Sequence, residues 1–167
     1  MQDRLGELVE MITVRREGFC QDSLGKTFAY LDAYHSSSSY EAILPAQALT
    51  LTEANDWQTK VAVAYDTFQR IALGLEVVRT DLEHHEDGSE RVNQLWRRVE
   101  VQVQGVLVNL LTEMEVRGST LATLTMSALP PSVRCEPHGV MRNQRDFIIL
   151  RHVLHAASYF TTTLNTH

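Results

Sequence analysis

The chain reads as all-α: one domain over residues 1–167, folded as an up-up-down-down four-helix bundle with two long crossover loops. Three observations predict this. Apolar residues recur at spacings of three and four over 53–83, 90–116 and 143–164, the period of a helix with one face in a core. The first two of these helices are joined by a short polar turn, while long irregular stretches precede the first and separate the last two. A short link makes neighbouring helices antiparallel, and a long crossover lets successive helices run parallel. Finally, 167 residues with a 44% hydrophobic fraction suffice for one real core without metal or disulfide staples.

The N-terminal region carries two apolar faces. Leu5, Leu8, Ile12 and Phe19 share one; Leu24, Phe28 and Leu31 share another, turned well over a quarter of a circle, with Gly18 at the change. Either one long helix kinks there, or helix A ends near 17 and a second helix covers 21–35. The two-piece reading is the one preferred. Ser36 to Ser39 and Pro45 then form a loop.

Helix B carries Trp57, Val61, Ala64, Phe68, Ile71, Leu75, Val78 and Leu82 on one face. Thr50 and Glu53 make a capping box, so its start is expected near 51. Glu83 to Gly88 end it in a polar turn. Helix C aligns Val92, Trp96, Val99, Val103, Val106 and Leu110, widened by Leu107, Leu111 and Met114. Ser89 is its natural N-cap and Gly118 its C-terminal stop. Its valines raise a strand alternative over 99–108, which the helical spacing over many turns outweighs.

Residues 118–142 are rich in Ser, Thr, Pro and Gly and read as the second crossover. Asn143 is the expected N-cap of helix D, with Asp146 near its positive end. Phe147, Leu150, Leu154, Ala157 and Leu164 form its stripe, with Ile149, Val153, Ala156 and Phe160 beside it. Chain reach agrees. Helix B is roughly 45 Å long, while residues 36–51 can span about 50 Å and the second crossover about 80 Å. Phe68, Leu75, Trp96, Val103, Leu150 and Leu154 sit mid-stripe and are expected in the common core.

Composition excludes some functions. A net charge of −6 argues against a nucleic-acid or anionic-membrane binder, and no apolar run approaches the roughly 20 residues of a membrane span. Met1-Gln2-Asp3-Arg4 enters an amphipathic pattern with no visible signal peptide. There is no Asn-x-Ser/Thr sequon. Two cysteines, Cys20 and Cys135, are too few for a disulfide framework and fit no zinc motif. In the expected topology both reach the same end of the bundle if helix A ends near Gly18, so the two are expected to approach each other, with a bridge between them left open; if helix A runs unbroken to 35 they need not meet. His152 and His155, three apart, lack a third ligand nearby and read as partly exposed histidines, while His84 and His85, flanked by Glu83, Glu86 and Asp87, read as a solvated turn in preference to a metal site. No Glu-x-x-His pair of the di-iron kind and no nucleophile arrangement occurs, so neither a cofactor nor an enzyme activity is expected. Tyr159, Ile148, His152 and His155 fall opposite the expected core face of helix D, where an aromatic residue suits a partner better than solvent.

The run Asp146-Phe147-Ile148-Ile149-Leu150-Arg151-His152-Val153-Leu154 resembles the last helix of the interleukin-six and interleukin-twelve cytokine superfamily. Leu51-Thr52-Glu53-Ala54, Ala64-Tyr65-Asp66-Thr67-Phe68 and Leu73-Gly74-Leu75-Glu76 resemble the second helix of the ciliary neurotrophic factor group. Ile12-Thr13-Val14-Arg15-Arg16-Glu17 followed by Cys20 is similar to the first helix of the interleukin-six group. These short runs follow one another in family order over most of the chain. The resemblance implies a secreted, extracellular cytokine that bridges class I cytokine receptor chains: the family's common signalling receptor or a relative. A second soluble subunit is left open.

The resemblance also implies three receptor-binding surfaces. One joins the end of the A–B loop to the end of helix D and includes His155 and Tyr159. One uses the exposed faces of helices A and C, with Arg4, Glu7, Arg97 and Glu100. The third is the bundle tip at the start of helix D, with Val140, Met141, Asn143 and Phe147. Ligands of the leukaemia inhibitory factor receptor carry Phe-x-x-Lys at this tip, and interleukin-twelve-type members prefer Trp at its first position. Val140 and Asn143 depart from both, so receptor identity is not carried over. The alternative is an intracellular or viral helical-bundle adaptor that binds a partner protein.

Overall fold

The computed structural model describes residues 6, 44, 50–52, 55–85, 90–119 and 122–164. Among them every regular element is helical: α1 (Trp57–His85), α2 (Glu90–Val116), a 3-10 turn (Met126–Ala128), α3 (Pro131–Arg134) and α4 (Gly139–Thr163). The expected helix A, its break at Gly18, the Ser89 cap and Cys20 lie outside the described residues.

Helix α1 starts at Trp57, later than the Thr50 capping box predicts. Local side-chain bonds win there. Asn55 Oδ1 accepts the Thr52 N–H at 2.7 Å, while the Asn55 N–H donates to the Thr52 carbonyl at 3.1 Å. The closed turn delays the helix, and Asp56 becomes the cap, accepting the Thr59 N–H at 2.7 Å. That backbone bond holds the Asp56 carboxyl below its usual range. Helix α2 ends as the sequence predicts. Gly118 takes φ +69°; its N–H donates to Glu115 O at 3.0 Å and the Ser119 N–H to Met114 O at 2.9 Å. This bond pair is the Schellman motif, and it satisfies carbonyls that the helix leaves open.

Helix α4 begins at Gly139, not at Asn143. Pro137 stops the preceding chain, and the His138 carbonyl accepts the first helical bond, from Arg142 N–H at 2.9 Å. Arg142 also donates to Pro137 O at 3.0 Å. Asn143 is thus an exposed residue inside the helix. Asp146 lies beyond the first turn and pairs with Arg145.

Helix α1 packs against α2, α4 and α3. It is antiparallel to α2. At one end Trp57 Nε1 donates to Glu113 Oε1 at 3.1 Å, and at the other Arg79 pairs with Glu100 at 3.5 Å. It is antiparallel to α4 as well. Asp81, late in α1, meets Arg145, early in α4, while Leu51, just before α1, meets Tyr159. Helices α2 and α4 therefore share a direction. The chain between them touches α1 at successively later points: Ser119 at Gln58, Ala122 and Leu124 at Gln69, and Ala128 at Arg70. With neighbours on most sides, α1 is buried nearly all round, which explains Lys60, Thr67 and Gln69 among its buried residues.

The core joins Phe68, Ile71, Leu75 and Val78 of α1 to Val99, Val103, Val106, Leu110 and Met114 of α2 and to Ile149, Val153, Ala156 and Phe160 of α4. Leu129 and Val133, from the connection, close one side. Of the expected mid-stripe residues, Phe68, Leu75 and Val103 are buried, whereas Trp96, Leu150 and Leu154 are half-buried against this core. Helix α4 is rotated by about one residue from its expected orientation. The row expected to flank the stripe is its centre, because Ile149 seats on the bare surface of Gly74, 3.5 Å from where a Cβ there would lie.

Candidate interaction surfaces

At the start of α4, Met141 and Asn143 are exposed, and Val140 lies in the first turn. Phe147 is buried, so it anchors this tip instead of facing out. Beneath the tip lies a charge cluster that the sequence did not reveal. Arg145 has no exposed surface. Its Nη2 donates to Asp146 Oδ1 at 2.6 Å and Asp81 Oδ2 at 2.7 Å, and its Nη1 to Val133 O at 3.2 Å. One guanidinium thus ties α4 to α1 and to the turn of α3. Burial lowers its basicity, but its two carboxylate partners outweigh this and raise it. Burial pushes the Asp146 carboxyl up to about 6 against the pull of Arg145, and Asp81 adds to the push. A lone Arg at this position reads in sequence as surface charge, since its partners come from 64 and 12 residues away.

On the outer side of α4 only part of the expected partner face is open. His155 is exposed. Tyr159 is half-buried; its hydroxyl donates to Leu51 O at 2.9 Å and its ring meets Phe160 edge-on at 5.1 Å. Ile148 packs against the core. His152 is half-buried with Nδ1 unbonded, and burial, then the nearby His155 and Arg151, lower its pKa to about 4. The expectation that these four stand opposite the core holds for His155 alone. The rotation of α4 brings Tyr159 to Leu51, in the segment before α1.

On α2, Arg97 is exposed and Glu100 is half-buried in its pair with Arg79. Arg4 and Glu7 lie outside the described residues. The structure adds two exposed apolar residues that sequence reasoning missed, Val101 and Val108, and corrects a third: Leu111, expected to widen the core stripe, faces outward. Val101 is 65% exposed, Val108 61% and Leu111 39% on the side of α2 away from the core. Their own three-four spacing was the available signal, hidden because the core valines 99, 103 and 106 interleave with them.

No family model, curated protein or solved structure matches the chain. Among the described residues no group of three or more His, Cys, Asp or Glu could hold a metal, and no helix is long and apolar enough to cross a membrane. Cys135 is exposed and its thiol is free. What these surfaces offer chemically is contact: a tip with Met141 and Asn143, an edge with His155, and an apolar strip flanked by charge on α2.

Proposed function

We propose that the chain is a secreted four-helix cytokine of up-up-down-down topology, whose helix A runs parallel to α1, and that it acts by bridging class I cytokine receptor chains, not by catalysis. The observation that carries this reading is the shared direction of α2 and α4, with the chain between them rising along α1 past Gln58, Gln69 and Arg70. A long connection of that kind is what a bundle with crossovers requires and an up-down-up-down bundle lacks. The resemblance of 146–154 to the last cytokine helix supports it further.

Binding would use separate patches. Met141 and Asn143 at the tip meet one receptor chain, supported from below by Phe147 and Arg145. Arg97 on α2, with Arg4 and Glu7, meets another. His155, with the polar edge of Tyr159, serves the third. The test is surface plasmon resonance of the full chain against the extracellular domains of the family's common signalling receptor and its relatives. Saturable binding, weakened at least about tenfold by Met141→Glu or Arg97→Glu, is the expected result. No binding to any class I receptor would overturn the reading and favour a helical adaptor.

A further inference from the structure

The outward side of α2 has a regularity of its own. Arg97, Val101, Gln104, Val108, Leu111 and Glu115 are all exposed and follow one another at steps of four, three, four, three and four. That is the seam of a coiled coil, repeated opposite the face already buried against α1. The order along it is basic, apolar, polar, apolar, apolar, acidic. Among the described residues neither Arg97 nor Glu115 has an ionic partner, although Arg79, Arg70 and Arg117 all do.

We infer that this seam pairs with the same seam of a second copy, antiparallel, about a two-fold axis beside Gln104 and Val108. The sequence is self-complementary only in that direction. Laid antiparallel with Gln104 opposite Val108 of the partner copy, Val101 falls opposite Leu111 and Arg97 opposite Glu115. Every apolar seam residue then meets an apolar or neutral one, and each end carries an opposite-charge pair. A two-fold axis makes each contact occur twice, as an isologous interface requires. Laid parallel, Arg97 would face Arg97 and Glu115 would face Glu115, which repels at both ends. Five turns of helix make a small interface, so the dimer is a weak, concentration-dependent one. It covers Arg97, so dimerisation and the proposed receptor contact on α2 exclude each other. The pairing itself does not rest on the receptor reading.

Sedimentation equilibrium of the full chain under reducing conditions, up to about 0.5 mM, tests it. The wild type is expected to show a reversible monomer–dimer equilibrium. Val101→Glu with Val108→Glu should weaken it by roughly 100-fold or more, since four charges would enter the seam. Arg97→Glu alone should weaken it about tenfold, as should Glu115→Arg alone, and the double swap should restore it. Far-UV circular dichroism checks that each variant stays folded. A monomeric wild type overturns the proposal, including the case where the chain's own N-terminal segment covers the strip and the Glu variants lower Tm. A dimer strengthened by Arg97→Glu overturns the antiparallel register. The sedimentation is run without receptor and the pairing does not need one, so the two readings fail separately.

Discussion

Arg145 has to neutralise Asp81 and Asp146 without reaching solvent. Removing it strands two poorly solvated carboxylates, so Arg145→Met should cost about 3–5 kcal/mol in urea unfolding. Two groups nearby respond to acid in opposite senses. Asp146 has a folded pKa of about 6, above its unfolded value, so it favours the folded state in acid, and that contribution is lost as pH rises through 6. His152 has a folded pKa of about 4, below its unfolded value, so its contribution is present above about 6.5 and lost as pH falls towards 4. Stability measured from pH 7 down to 4 should therefore fall less steeply in His152→Leu and more steeply in Asp146→Asn than in the wild type. The same slope in all three would show that neither group titrates as burial demands. None of this was legible in the sequence. The spacing of His152 and His155 suggested partly exposed side chains, which both are, but not the burial that shifts the His152 pKa.

Two glycines show what each helix needs from its neighbours. Gly118 holds φ +69° to close the end of α2, so Gly118→Ala should cost about 1 kcal/mol in thermal unfolding. Gly74 has ordinary helical geometry, and an added methyl would meet Ile149 at 3.5 Å, a normal contact. Gly74→Ala should be neutral or stabilising by up to about 1 kcal/mol. The rotation of α4 gives a matching pair in the core. Phe160→Ala, from a fully buried ring 5.9 Å from that of Phe68, should cost about 3–5 kcal/mol, and Leu150→Ala clearly less. Equal losses would restore the orientation that the sequence pattern suggests. Helix existence and type were readable here because the three-four spacing runs through many turns. Orientation was not, since the apolar residues of α4 span most of its circumference, and a stripe that wide has no single centre. The starts of α1 and α4 escaped for another reason. Asn55 and Asp56 compete with Thr50 as cap and turn formers, and Pro137 acts before Asn143 can.

At the scale of the whole molecule, α1 is flanked by α2 on one side and α4 on another, and the proposed topology turns on the direction of the expected helix A. If helix A runs parallel to α1, Gly6 lies near the end where α2 finishes at Gly118 and far from the end where α1 finishes. Spin labels at Gly6→Cys with Ser119→Cys should then be markedly closer than labels at Gly6→Cys with His84→Cys. The reverse order would place helix A antiparallel and remove the up-up half of the bundle. The short turn requires α1 and α2 to run antiparallel, and the long connection allows the direction that α2 and α4 share. The loop lengths were silent on the exposed Val101 and Val108 of α2, and the helical pattern puts Leu111 on the core side.

The connection between α2 and α4 is held mostly by its main chain. Gln69 bonds the Ala122 carbonyl and the Leu124 N–H, Arg70 the Ala128 carbonyl, and Arg145 the Val133 carbonyl. The recognising side chains sit on helices; the recognised atoms belong to every amino acid alike. Information about the path of this loop is therefore stored outside the loop. Its own letters, apart from the buried Leu129 and Val133, the half-buried Met126, and Arg134, which bonds the Leu129 carbonyl, are left free to drift. A saturation library of 122–134 should be broadly permissive, while the same library at three helical positions, 69, 70 and 145, should not. A reader comparing distant versions of this chain by aligning the loop would find noise where the fold is well specified.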